Sequence, residues 1–177
     1  WHHLSCVLTA DDIIFYLDGV NVISTSTSGD LDPPAAGTLL CIGDEASGTT
    51  CDTEPFKGDM QDVNVWNVSL NSSQMLSLYQ SGAPTQLSQD VIPDENPNLV
   101  YNNSLTYNKG TVMEFNGVDD YIRGAQRPEI SYQKNFTVSL WYNANVRTTD
   151  DALFTNFLGA QDKFIIAMDN SGPENIG

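Results

Sequence analysis

Ile13-Ile14-Phe15-Tyr16-Leu17-Asp18-Gly19-Val20-Asn21-Val22-Ile23 is the stretch on which the fold turns. Two runs of β-branched and aromatic residues flank an Asp-Gly pair. Both central residues of a type I′ turn need positive φ, which Asp tolerates and Gly adopts freely, so the segment reads as a tight antiparallel hairpin. Upstream, Trp1–Leu8 alternates, with His2, Leu4, Cys6 and Leu8 on one face and Trp1, His3, Ser5 and Val7 on the other. Downstream, Pro33-Pro34 interrupt a polar loop over 24–36, and Thr38–Ile42 resumes as a strand. An acidic, Gly/Thr-rich loop over 43–55 leads into a long strand over Phe56–Asn67, read as Met60, Asp62, Asn64 and Trp66 opposite Gln61, Val63 and Val65.

One helix interrupts the strand pattern, at about Ser72–Gln80. Asn71 or Ser72 can accept from the free N–H groups of its first turn, Met75, Leu76 and Tyr79 fall at helical spacing, and Gly82 stands where a left-handed cap belongs. A helix this short needs packing onto a sheet to hold it. Residues 81–98, with three prolines and a polar bias, read as a linker or crossing loop. Strands resume at Val112–Phe115, Tyr121-Ile122, Phe136–Tyr142, Ala152–Leu158 and Lys163–Met168, with a turn at Asn116-Gly117. Many short strands with a single small helix define an all-β, antiparallel sandwich or jelly roll.

The 177 residues are enough for one domain or two partial ones, and at 40% apolar they can form a core. Against 23 acidic side chains stand 7 basic ones, for a net charge of −16. Such a surface repels phosphate backbones and anionic lipid, which excludes nucleic-acid and membrane-surface roles, and no apolar run reaches the ~20 residues of a membrane helix. The chain begins at Trp1 with neither a methionine nor a signal peptide, as an excerpted or mature segment would. Three cysteines are an odd number. Cys41 and Cys51 near the ends of the acidic loop can close a local bridge, leaving Cys6 a buried thiol or one with a partner elsewhere; Cys6–Cys41 is the competing pairing. Asn-x-Ser/Thr acceptors at Asn67, Asn71, Asn102 and Asn135 point to a secreted glycoprotein.

Two groups of blocks carry a family resemblance. Trp1-His2-His3-Leu4, Phe15-Tyr16-Leu17-Asp18-Gly19, Phe56-Lys57-Gly58-Asp59-Met60-Gln61-Asp62-Val63-Asn64-Val65-Trp66-Asn67 and the 72–79 helix resemble the C-terminal half of a concanavalin A-like jelly-roll module of the laminin-G/pentraxin class. Val112–Ile122 and Asn135–Tyr142 resemble the N-terminal half of the same module. The halves come in reversed order. The expected organisation is a C-terminal half over 1–82, a linker or crossing loop over 83–108, and an N-terminal half over 109–177. Either the segment straddles two tandem modules, the preferred reading, or the halves complete one another within one chain or between neighbours. A half-sandwich alone would leave strand edges and a core face bare.

The resemblance implies calcium, with ligands at Asp44-Glu45 and at Gln161-Asp162. Calcium takes six to eight oxygens, and Ala46, Ser47 and Lys163 stand where further ligands are expected. His2 and His3 point to opposite faces of a strand and cannot chelate together. Asp119-Asp120 and Asp150-Asp151 are adjacent pairs that diverge or solvate, so neither places two carboxylates across a glycosidic bond. The Glu-x-Asp-x-x-Glu run of glycosidases of this fold is absent, and Asp59 and Asp62 have the wrong spacing. No nucleophile elbow, phosphate loop or His-Glu-x-x-His occurs. Trp66, Trp141, Tyr101, Tyr107 and Tyr121 can stack on sugars, although core packing is the ordinary role of such strand aromatics. The expected function is a non-catalytic extracellular glycan- or protein-binding (adhesion) module in a tandem-module protein. The alternative is a structural repeat of a glycosylated extracellular filament, contacting neighbouring modules or copies of itself.

Overall fold

A computed structural model describes residues 1–26, 39–47, 50–51, 53–66, 68–80, 99–101, 106–108, 112–125, 135–145, 150–157 and 163–169. Asn67, Asn102, Gln161, Asp162 and Gly82 therefore lie outside the described residues, as does the 81–98 stretch. The strands are β1 (His2–Leu8), β2 (Asp12–Leu17), β3 (Val20–Ser26), β4 (Leu39–Ile42), β5 (Ala46–Ser47), β6 (Thr50–Cys51) and β7 (Lys57–Trp66), followed by helix α1 (Ser72–Gln80). Then come β8 (Leu99–Tyr101), β9 (Thr106–Asn108), β10 (Val112–Asn116), β11 (Ile122–Ala125), β12 (Phe136–Ala144), β13 (Asp150–Phe157) and β14 (Lys163–Asp169).

These strands form two antiparallel sheets facing across one core. Sheet A has the order β3-β2-β1-β12-β7-β10-β9, and sheet B the order β14-β13-β4-β11-β8; β5 and β6 form a separate two-stranded hairpin. Each sheet mixes the two sequence halves. In sheet A, β1 pairs with β12 from Leu4↔Leu140 to Leu8↔Phe136, and β7 lies between β12 and β10. In sheet B, β4 lies between β11 and β13. Of the arrangements left open by the reversed block order, the halves here complete one another within the chain. Leu4, Cys6, Phe56, Met60 and Tyr142 of sheet A and its approaches meet Ile42, Ile122, Phe154 and Ile166 of sheet B in one buried cluster. The segment expected as a linker contributes β8 and β9, three residues each, at one edge of each sheet.

The Asp-Gly hairpin forms as expected, with φ of 50° at Asp18 and 78° at Gly19. Strand β7 departs from simple alternation. Asp62 has φ 51°, and the register slips so that Ser139 faces Asn64 while Trp141 faces Gln61. The slip is a β-bulge, and one extra residue reverses which side chains face in. Val63, not Asp62, accordingly packs against the core beside Met60. Trp66, opposite Thr137, and Gln61, opposite Trp141, fall on the outer face.

Both outer faces carry a roof. Helix α1 lies over sheet A, where Met75 is fully buried against Val7 and Tyr16, with Ile14, Leu70 and Leu78 around them. Its N-terminus is a reciprocal capping box: Asn71 Oδ1 accepts the Gln74 N–H at 3.0 Å and Gln74 Oε1 accepts the Asn71 N–H at 2.9 Å. Over sheet B, the β5–β6 hairpin buries Ala46 and the Cys41–Cys51 disulfide, with Leu39 and Tyr121 against them. Cys6 stays a free, buried thiol in the core, its pKa pushed by burial from 9.0 up to about 12. It is therefore neither a nucleophile nor a ligand at neutral pH.

Candidate functional site: the acidic rim

Strand directions give the sandwich two unlike ends. At one, β7 begins at Lys57, β12 ends at Ala144, and β10 ends at Asn116, which faces Lys57. The loop after β4 and the turn after β10 lie there, beside the start of β13. Gly43 N–H donates to Leu153 O at 3.0 Å, Phe56 N–H to Gly43 O at 2.9 Å, and Ala152 N–H to Glu54 O at 3.1 Å. Gly43 permits this closure: its φ is 83°, and a Cβ would sit 2.2 Å from the Phe115 ring. Such a contact has no room to relax against a buried aromatic.

Carboxylates concentrate at this end. Asp44, Glu45, Asp120 and Asp151 are all buried. Asp44 Oδ1 accepts backbone N–H groups from Glu45 at 2.7 Å, Glu54 at 2.8 Å and Thr53 at 3.1 Å. One carboxylate oxygen thus closes both ends of the disulfide loop, because three donors compensate a buried negative charge. Thr155 Oγ1 adds a bond to Asp44 O at 3.3 Å, tying the loop to β13. Asp120 Oδ2 accepts the Asn116 N–H at 2.9 Å, and Asn116 Oδ1 in turn accepts from Val118 at 2.7 Å and Asp119 at 3.1 Å, so this acid too shapes its own turn.

The calcium set implied by resemblance is only partly in view. Asp44 and Glu45 stand together at the rim, and Asp162 is outside the described residues. Among the described residues, no three His, Cys, Asp or Glu side chains converge in a metal-holding group. Two buried acids, one with an oxygen committed to three N–H donors, fall short of the oxygens calcium takes.

Sheet A carries a second polar region on its outer face. His3 is buried there, with its ring centroid 5.1 Å from Trp141 and 6.4 Å from Tyr79, and Tyr79 stacks on Trp141 at 5.8 Å. Burial lowers the His3 pKa from 6.5 to about 4, against the opposing pull of Asp18, and among the described residues Nδ1 has no hydrogen-bond partner. His2, on the other face, pairs through Nδ1 with Asp18 Oδ2 at 2.9 Å, and Asp18 Oδ1 accepts the His3 N–H at 2.9 Å. The opposite orientation of the two histidines follows the strand period. Trp141 belongs to this outer layer and is sealed by α1, so it neither fills the main core nor offers a face to a sugar.

Along the open part of the same face, Asp59 is directly opposite Glu114 on β10 and Asn143 on β12. Asn143 Nδ2 donates to Asp59 Oδ2 at 3.3 Å. Two acids facing across neighbouring strands are unfavourable. Their pairing was invisible in sequence, since 55 residues of chain separate positions 59 and 114 and only register joins them.

Residues 1–75 match the family model described as the concanavalin A-like lectin/glucanases superfamily, of the laminin-G type. The antiparallel two-sheet sandwich agrees with that class. Searches of curated proteins and of solved structures returned no significant match. The matched segment is the one that carries the first group of sequence blocks, and the rest of the chain is unassigned. The superfamily's description spans both lectins and glucanases, so fold membership by itself assigns no catalysis. Among the described residues no helix is long and apolar enough to cross a membrane. The disulfide is consistent with an extracellular location.

Proposed function

We propose that the chain is a non-catalytic extracellular recognition module that binds glycans through its acidic rim, within a protein built of tandem modules. One observation carries the reading: the loop after β4, tied to strand β13 by backbone bonds among Gly43, Glu54, Phe56, Ala152 and Leu153, and the turn after β10 bring carboxylates to a single end of a lectin-type sandwich, with Glu54 partly exposed and Asp119 exposed there. Carboxylate oxygens accept hydrogen bonds from sugar hydroxyls, and a rim cross-linked by Cys41–Cys51 is ordered before a ligand arrives. Calcium is a proposed assistant through Asp44, Glu45 and Asp162, and it depends on Asp162 supplying what the other two lack. In this reading 1–82 and 109–177 correspond to the C-terminal and N-terminal halves of a laminin-G-like module that complete one sandwich, with 83–108 between them.

A glycan array probed with the full chain, with and without chelator, tests this. Retained glycans that are lost in Glu54→Gln and Asp119→Asn variants support it. No retained glycan in either condition rejects it, and binding unchanged by chelator rejects the calcium assistance alone.

A specific feature favours the alternative, a structural repeat of an extracellular filament. Strand β3 is an edge strand without a charged residue, and Val20, Val22 and Ile23 on it are 63%, 46% and 39% exposed. Uncharged apolar edges are templates for pairing with another chain. Sedimentation of the native protein against an Ile23→Lys variant separates the readings, because assembly through β3 is lost in the variant and rim binding is not.

A further inference from the structure

At the end opposite the acidic rim, the fold gathers glycosylation signals that are distant in sequence. Strand β7 finishes there at Trp66, opposite Thr137, and β1 finishes at Leu8, opposite Phe136. Ser69, the hydroxyl residue of the Asn67 acceptor, donates its proton to Leu8 O at 2.6 Å, with Asn135 Oδ1 a second, longer acceptor of the same proton at 3.4 Å. Thr137, the hydroxyl residue of the Asn135 acceptor, donates to Val68 O at 2.8 Å and accepts the Leu70 N–H at 2.9 Å. Asn71, the helix cap, follows directly.

We propose that Asn71 and Asn135 carry N-linked glycans that together cover this end of the sandwich. Both side chains are exposed. In each, the fold uses only Oδ1: Asn71 Oδ1 accepts from Gln74, and Asn135 Oδ1 accepts from Ser69. Among the described residues the Nδ2 atoms make no hydrogen bond, and Nδ2 is the atom a glycan occupies. In the transfer, Nδ2 forms a bond to C1 of an oligosaccharide carried on a polyprenyl diphosphate. The C1–O bond breaks, the diphosphate leaves with its electron pair, and one amide proton passes to base. Oδ1 is untouched, so the capping box and the Ser69 bond persist in the glycoprotein. The sugars also cover exposed apolar surface, since Val65 and Val68 are 36% and 49% exposed at this end.

The two sites differ in when they can be modified. Ser73, the hydroxyl residue for Asn71, is exposed, whereas Thr137 is fully buried. Asn135 is therefore modified only before the chain folds, and Asn71 before or after.

This inference rests on the extracellular reading, and the experiment separates the two. The full chain is secreted from a eukaryotic host, the Cys41–Cys51 bond is verified by peptide mapping, and glycans are released by an amidase in heavy-oxygen water. The expected result is isotopic label at both Asn71 and Asn135. Ser73→Ala removes the first without touching the cap, and Asn135→Gln removes the second. A secreted, disulfide-bonded protein unlabelled at either position overturns the proposal and leaves the extracellular reading standing. A chain lacking both bond and label overturns both. When unglycosylated, folded protein is given transferase and donor lipid, modification at Asn71 alone is expected; modification at Asn135 overturns the role given to Thr137.

Discussion

Helix α1 is held over sheet A by packing and caps, whereas the β5–β6 hairpin is held over sheet B by a covalent bond and a carboxylate. The difference follows from what each roof can bury. The helix spans nine residues and brings Met75 and Tyr79 onto Val7, Tyr16 and Trp141, enough apolar contact to offset its cost of ordering. Strands of two residues have no such area. Their hairpin is ordered because Cys41–Cys51 closes the loop and Asp44 Oδ1 gathers three N–H groups at its ends. The rim proposed to bind glycans is built on the second, cross-linked roof, and the proposed N-linked glycans flank the first.

The largest effect is expected on the helix side. Met75→Ala removes the fully buried anchor of α1 and should cost about 2–5 kcal/mol, read by denaturant unfolding, with Trp141 losing its shielded fluorescence first. A cost under about 1 kcal/mol would mean that α1 is not held by this contact.

Acid should act on the same roof. The folded protein favours neutral His3, so as pH falls the unfolded chain takes up this proton before the folded one does. Stability from His3 is complete above about pH 6.5 and is lost as pH falls toward about 4, amounting to roughly 3 kcal/mol. His3→Phe should flatten the stability–pH curve over that window relative to the parent; parallel curves would show that His3 is not kept neutral.

The smallest effect is expected on the hairpin side. The bridged cysteines are ten residues apart, and so short a loop gives about 2.5 kcal/mol. A Cys41→Ala/Cys51→Ala double variant should lose this much and also lose glycan retention at the rim, while Trp141 fluorescence stays native. Loss of both signals together would mean that the roofs unfold as one unit.

Much of the local structure was readable because it depends on neighbours in sequence. Asp18-Gly19 turns where two left-handed residues are needed, Asn71 caps a helix whose Met75 falls on the buried stripe, and Cys41 reaches Cys51. The bulge at Asp62 was not readable, since a strict two-residue period gives no sign of where a residue is inserted. The position of Trp141 under α1 was not readable either, for a different reason: the alternation of β12 puts it on the face opposite Leu140 and Tyr142, but only the tertiary structure lays the helix over that face.

Residues alone determined the local elements: short alternating strands, an Asp-Gly hairpin and one capped helix, all set by local sterics and hydrophobic period, beside motif blocks that resemble a laminin-G-like module. Only the tertiary structure decided that the reversed halves share two sheets, that Asp59 faces Glu114, and that the acids and the glycan acceptors occupy opposite ends. Those relations come from strand register between distant segments. Register is selected by burying one face of every strand at once, and no single segment carries that information.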